Sequence, residues 1–200
     1  MLDPTFIKEC ADPSLRPPVV EQFVEAAGSE DPFAVTVKSG GRLVLVPKAK
    51  SVDEAMAIAR QYVGQAVVRV GLTQLPAGVG SKDAADLLPD LVEPCENLHK
   101  GTALFAKVLR IVARWYGNPK SEEVFPQIFE DAVYAWKTGE FEGVSVFHAA
   151  DPGGAIKLPR QSQVNSVDDE AVATPEKQSD TNEEVDRAGI RIDLSRIGGN

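Results

Sequence analysis

The stretch that most constrains the fold is residues 23–35, where the sequence predicts the end of a helix, a tight turn and the start of a strand. Apolar residues at helical spacing lead into this stretch, so one face of the helix is expected to point inward. Gly28 and Ser29 then break the helix, and Asp31-Pro32 imposes an extended exit. A buried helix end that opens onto a turn is a common location for a catalytic side chain, and the residue at this position is Ala27.

Proline, capping and glycine signals divide the rest of residues 1–147 into helices around a small hairpin. Ser51 and Glu54 form a capping box, in which the serine caps the helix and the glutamate reaches back. Two β-type runs flank Ser39-Gly40-Gly41, which predicts a hairpin because glycine accepts positive φ. The predicted elements are helices at 4–10, 17–27, 51–62, 94–116 and 121–137, a helical turn at 82–88, and strands at 34–37 and 43–46.

Residues 66–75 form a nearly continuous apolar run that contains three polar side chains, Arg69, Thr73 and Gln74. A polar side chain inside such a run is either hydrogen-bonded in the core or directed into a cleft. The sequence leaves both alternatives open for each of them. With 43% hydrophobic residues the chain can bury a core, and the predicted fold class is α+β, mainly helical, with a small β-hairpin.

The composition changes after His148, so we divide the chain into a domain at 1–147 and an acidic tail at 148–200. Residues 151–187 contain almost no large apolar side chains, and the segment is predicted to be disordered because it cannot offset its chain entropy. Farther on, Ile190, Ile192 and Leu194 alternate with polar residues. This alternation suits a short interaction strand at 189–197 that adds to a partner's sheet edge. The alternative is an idle terminus.

The charge of the chain limits its partners and its location. A formal net charge of -9 and a pI near 4.8 argue against general binding to nucleic acid or to an anionic membrane. No apolar run approaches the roughly 20 residues of a membrane helix. The first residues lack the basic and apolar regions of a secretory signal, which predicts a cytosolic start.

The two cysteines, Cys10 and Cys95, lack the close spacing of metal ligands, and we expect neither a metal nor a cofactor. One interpretation is two small buried thiols. The other is a disulfide, which requires an oxidising compartment and conflicts with the missing signal.

Five short motifs, in the same order along the chain, resemble those of a known family. They are E-C-A-D-P at 9–13, E-D-P-F-A-V at 30–35, V-G-L-T-Q-L at 70–75, P-C-E-N-L-H-K-G-T at 94–102 and A-W-K-T-G at 135–139. They resemble motifs of the lytic transglycosylases, including the G-L-M-Q signature, and in particular those of the branch found in type IV secretion and conjugation systems. The resemblance covers residues 1–147. The overall length and the acidic tail are also similar to the TraH conjugal transfer proteins of rhizobial and agrobacterial plasmids.

The resemblance implies a lysozyme-like domain with a groove for peptidoglycan glycan strands, working in the periplasm beside type IV secretion or conjugation components. Enzymes of that family use one glutamate, first as acid and then as base, while the 6-hydroxyl of the sugar closes an anhydro ring. A carboxyl does this near neutral pH when apolar surroundings keep it protonated. The resemblance also places Cys10 and Cys95 at two positions that are both cysteine in the branch and that could pair.

The chain departs from the family at the catalytic position. The family motif has its acid five positions before the proline, and counting back from Pro32 gives Ala27. The tyrosine that lies near the acid in the family corresponds to Trp136, whose indole donates a hydrogen bond but accepts none. Glu30, in the turn, is one rescue candidate. Glu25 is the other, although it should face away from the groove, at about 200° from Ala27 around the helix.

The resemblance gives four candidates for substrate binding: Thr73, Gln74, Trp136 and Thr138. Gln74 faces either the glycan or a hydrogen bond in the core, and Trp136 is either a core anchor or a stacking surface for a sugar. Thr138 with Gly139 at least ends a helix. The favoured hypothesis is a conjugation component whose domain is catalytically silent and binds glycan or a partner. The alternatives are an active transglycosylase that uses Glu30, and a cytosolic adaptor without affinity for glycan.

Overall fold

The computed structural model describes residues 2–81 and 83–155. The predicted disordered tail beyond residue 155 and its interaction strand at 189–197 lie outside these residues. The described chain contains five α-helices: α1 (Pro4–Cys10), α2 (Pro17–Ala27), α3 (Val52–Tyr62), α4 (Pro94–Trp115) and α5 (Phe125–Thr138). Three 3-10 turns accompany them, at Ala84–Asp86, Pro89–Leu91 and Glu122–Val124.

Local signals set the ends of the helices. The carboxylate of Asp3 accepts hydrogen bonds from the backbone N–H groups of Thr5 and Phe6, which caps α1. These two bonds lower the pKa of Asp3. Proline stands in the first turn of α1, α2, α4 and α5, where no backbone donor is needed. Gly139, at φ 84°, ends α5 in the left-handed conformation.

The main sheet has four antiparallel strands in the order β2-β1-β3-β4. They are β1 (Val35–Ser39), β2 (Arg42–Val44), β3 (Val67–Val70) and β4 (Leu75–Pro76). The turn between β1 and β2 consists of Gly40 and Gly41, both at positive φ, as the hairpin signal predicted. A second, two-stranded hairpin follows α5, with β5 (Glu140–Phe141) and β6 (Val144–Ser145).

The core is built around α4, which buries a stripe of residues at helical spacing, Leu98, Thr102, Phe105, Leu109 and Val112. Phe105 stacks on Phe23 of α2 with ring centroids 3.9 Å apart, and the indole of Trp136 meets Phe23 edge-on at 5.1 Å. These rings join α2, α4 and α5 at one point. No helix in the described ranges has both the length and the apolar character needed to cross a membrane.

Two local predictions differ from the structure. Ser51 does cap α3 by accepting from the N–H of Glu54, but the Glu54 carboxylate accepts from the N–H of Lys50 at 2.8 Å instead of from Ser51. The capping box is therefore only half formed. The helical turn predicted at 82–88 is a shorter 3-10 turn at Ala84–Asp86, and a second 3-10 turn lies outside the predicted range, at Pro89–Leu91.

Candidate functional site

The site predicted from sequence is organised by the turn at residues 71–74, between β3 and β4. Gly71 and Gln74 both adopt positive φ, and the N–H of Gln74 donates to the carbonyl of Gly71 at 3.1 Å. The side-chain amide of Gln74 donates to the same carbonyl, also at 3.1 Å. This amide is buried and holds the turn together, which corresponds to the core alternative for Gln74.

The end of α2 lies directly against this turn. The N–H of Ser29 donates to the carbonyl of Leu72 at 2.8 Å. A Cβ atom on Gly28 would lie 2.2 Å from the same oxygen, so only glycine fits there. The adjacent Ala27, at the position where the resemblance has an acid, is half-buried and packs on the core.

Asn97, in the first turn of α4, is fully buried and bonds to three segments of the chain. Its side-chain oxygen accepts from the N–H and the hydroxyl of Thr73, each at 3.0 Å. Its side-chain nitrogen donates to the carbonyls of Val70 and Leu91. Sequence reasoning gave Asn97 no role, although one signal was available. Gly101 lies four residues farther along the same helix face, where small residues permit close approach.

Trp136 is fully buried and donates from its indole nitrogen to the carbonyl of Thr73 at 3.1 Å. The ring therefore has no face open to a sugar, and it acts as the core anchor that the sequence left as one alternative. Thr73 is fully buried as well. Of the four predicted binding residues, Thr138 alone is exposed, and its hydroxyl donates to the carbonyl of Tyr134 at 3.0 Å, within α5.

Arg69, on β3, connects the turn at 71–74 to the end of α5. Its guanidinium donates to the carbonyl of Gln74 and to those of Trp136 and Lys137, at the C-terminal end of α5. A cation is favourable there because the last carbonyls of a helix lack partners and carry partial negative charge. Burial lowers the pKa of Arg69 to about 10, so the side chain stays charged at neutral pH. No ion pair to Arg69 occurs within residues 2–81 and 83–155.

The carboxylates near the end of α2 are exposed. Glu25 and Glu30 both face solvent, in a cleft of about 350 Å³. Leu2, Glu21, Val24, Glu25, Gly28, Ser29 and Glu30 line this α2 cleft. The buried polar side chains of the described residues are Arg69, Thr73, Gln74, Asn97 and Thr102, and none of them is an acid. The arrangement offers hydrogen-bonding groups at an open surface but no enclosed carboxyl.

The disulfide that the resemblance implied is present between Cys10 at the end of α1 and Cys95 at the start of α4, with Cα atoms 5.0 Å apart. Nearby, the N–H of Asp12 donates to the hydroxyl of Thr102 at 2.8 Å. These contacts fix the chain after α1 to the long central helix. In the part of the chain that the structure describes, no group of three or more His, Cys, Asp or Glu side chains is placed to hold a metal ion.

The five motifs of the resemblance are therefore neighbours in space. The motif at 70–75 contacts the one at 30–35 through the N–H of Gly71 and the carbonyl of Ala34, 2.9 Å apart. It contacts the motif at 94–102 through Asn97, and the motif at 135–139 through Trp136. The motif at 9–13 joins them through the disulfide. Four of the motifs thus meet at the turn at 71–74, and the fifth is joined to the motif at 94–102.

Comparison with known proteins gives a family for the chain. No solved structure gives a significant match. The chain is similar to "Uncharacterized protein y4dP" of Sinorhizobium fredii (strain NBRC 101917 / NGR234), with 67% identity over 199 residues that span 100% of both chains. The sequence profile of the TraH_2 family matches residues 1–199. The chain therefore belongs to the TraH_2 family, and this membership supports its assignment to the TraH conjugal transfer proteins.

Proposed function

We propose that this TraH_2 protein is a component of plasmid conjugal transfer by type IV secretion, with a lysozyme-like domain that binds a glycan strand without cleaving it. The family membership supports the conjugal part of the proposal. The lysozyme-like part is supported by the resemblance of the five motifs and by the contacts that link four of them at the turn at 71–74.

The proposed lack of catalytic activity rests on Ala27. It occupies the end of α2 beside the turn, where a methyl group cannot donate a proton. A substitute acid would need apolar, water-excluded surroundings. Glu25 and Glu30 are exposed instead, and the buried polar side chains of the described residues include no carboxyl.

The α2 cleft is the proposed binding surface. Carboxylates of Glu21, Glu25 and Glu30 are suited to accept hydrogen bonds from sugar hydroxyls, and Leu2 and Val24 offer apolar contact to a ring face. The disulfide supports work in the periplasm, because such bonds persist in oxidising compartments.

Two experiments test the proposal. Deletion of the gene from a conjugative plasmid should lower the transfer frequency, and complementation should restore it. Unchanged transfer would contradict a conjugal role.

Co-sedimentation tests glycan binding. The full chain should sediment with purified peptidoglycan, and changing Glu25 and Glu30 to Gln should weaken this retention. Glu130→Gln, an exposed site on α5, is the matched control. Equal loss in both variants would contradict binding at the α2 cleft.

One observation favours a second candidate, a conjugation adaptor without glycan affinity. Three of the four expected groove residues, Thr73, Gln74 and Trp136, use their polar groups inside the fold. Under this alternative the protein would not sediment with peptidoglycan, yet deletion would still lower transfer.

An active transglycosylase that uses Glu30 is the third candidate, because Glu30 lines the α2 cleft. Release of anhydro-muropeptides, lost on Glu30→Gln, would identify it.

A further inference from the structure

The outer edge of β2 is open. In the four-stranded sheet β2 stands at one end and pairs only with β1, and no other strand of the described residues lies beside it. Backbone groups of an antiparallel strand point alternately to its two sides, and the two-residue turn directs those of Arg42 and Val44 toward β1. The N–H and C=O of Leu43 therefore point outward, where they can pair with an added strand.

Apolar side chains accompany this open edge. Leu43 is 62% exposed, Leu45 is 91% exposed and Val67 is 55% exposed. The strand register places Lys38 opposite both Leu43 and Val67, so these three side chains form one row across the outward face of the sheet. Open edges with exposed apolar residues are normally blunted or covered, because they promote association.

The charge around this edge is basic. Residues 33–50 contain Lys38, Arg42, Lys48 and Lys50 and no acidic residue, in a chain whose net charge is -9. Lys48 pairs with Asp31 at 3.2 Å. Ion pairs to Lys38 and Arg42, which flank Leu43 in the hairpin, do not occur among the described residues. The positive charge concentrated here therefore favours an acidic occupant.

We propose that the edge of β2 binds an acidic, extended peptide segment of a partner protein as an additional antiparallel strand. Backbone hydrogen bonds to Leu43 set its direction, an apolar side chain of the added strand packs on Leu43, and carboxylates on its opposite face pair with Arg42, while Lys38 adds positive charge one strand away. A second copy of the same edge fits less well, because pairing β2 with β2 brings the basic residues together. The open strand favours a peptide over nucleic acid or lipid, which cannot use the backbone pairing.

The first test uses the full chain and two labelled probe peptides, one alternating Glu with Val and the other alternating Lys with Val. Fluorescence anisotropy should show that the acidic peptide binds at least about tenfold more tightly than the basic one. Its affinity should fall with salt, since ion pairs at this exposed edge are screened. Equal affinity for the two peptides, or no binding of the acidic one, would overturn the proposal.

Variants locate the surface. Leu43→Asp and Arg42→Glu should each weaken the acidic peptide by about tenfold, and Arg42→Glu should reduce the preference over the basic peptide. Leu88→Asp, a change at a residue 59% exposed outside the sheet, and Lys120→Glu on the chain after α4 should have no effect. Identical losses in the β2 variants and these controls would contradict the assignment.

Three other occupants of the β2 edge would give different experimental results. Tighter binding of a single-stranded oligonucleotide, or of vesicles containing phosphatidylglycerol, than of the acidic peptide would replace the proposal with nucleic acid or lipid recognition. A dimer detected by light scattering and dissolved by Leu43→Asp would replace it with self-association. The proposed peptide site does not depend on glycan binding, because the α2 cleft is lined by different residues.

Discussion

The indole nitrogen of Trp136 lies 3.1 Å from the main-chain oxygen of Thr73, and this hydrogen bond joins the end of α5 to the turn at 71–74. Thr73 is bonded in turn to Asn97 of α4. Thr73 and Trp136, two of the four side chains that the resemblance implies for a sugar groove, thus help to hold three segments together. Any contact with a ligand must be made by residues that surround this network.

Replacing Trp136 by Phe should destabilise the domain by about 1–3 kcal/mol, because the buried carbonyl of Thr73 loses its donor and part of the ring volume is lost. Trp115→Phe is the matched control, since Trp115 is 58% exposed and should change stability by less than about 1 kcal/mol. Urea unfolding followed by circular dichroism gives both values. Equal effects would show that the network carries little of the stability.

Gly101→Ala should also destabilise, because a Cβ atom at this position would lie 2.1 Å from the hydroxyl oxygen of Thr73. Such overpacking costs about 1–3 kcal/mol or more. Gly78→Ala is the control, since its Cβ would meet nothing closer than 4.0 Å. Thermal unfolding of both variants separates steric crowding from a general effect of alanine. A neutral Gly101→Ala would mean that Thr73 moves freely, against the packing described here.

Arg69→Met tests the link between β3 and the end of α5. The change removes three hydrogen bonds to carbonyls and leaves those of Gln74, Trp136 and Lys137 without this donor. We expect a loss of about 2–4 kcal/mol in unfolding free energy. Arg114→Met, at an exposed position on α4, should be nearly neutral in the same urea titration. A gain in stability from Arg69→Met would show that burying the charge costs more than its bonds return.

Reduction of the disulfide should lower stability substantially. Cys10 and Cys95 are 85 residues apart, and closing a loop of that length contributes roughly 4–5 kcal/mol in the chain-entropy account. A thiol reductant should lower the unfolding midpoint of the natural chain. The variant with both cysteines changed to Ser should not respond. If the reductant leaves the unfolding midpoint unchanged and mass spectrometry of the untreated chain finds free thiols, the cysteines are unpaired in the isolated protein.

Local sequence signals were sufficient for the helices and the first hairpin. Prolines, the Asp3 cap and Gly139 mark helix ends through interactions within a few residues, and Gly40-Gly41 imposes the turn of the hairpin. Helical spacing also identified the inward face of α2, because a buried face repeats along one helix whatever it packs against.

The hydrogen bonds within the site could not be predicted from these local signals. Whether Arg69, Thr73 and Gln74 point into the core or into a cleft depends on carbonyls and on Asn97, which belong to other segments of the chain. The fit of Gly28 against Leu72 is likewise a contact between two remote segments. A pattern read along one segment carries no information about the partner that folding brings to it.

The most direct test of the central claim is digestion of purified peptidoglycan, with anhydro-muropeptides measured by mass spectrometry. We expect none from the natural chain, because Ala27 cannot donate a proton and the carboxylates of Glu25 and Glu30 in the α2 cleft are exposed. A parallel digestion with an active lytic transglycosylase should release them. Anhydro-muropeptides released by the natural chain would contradict the account.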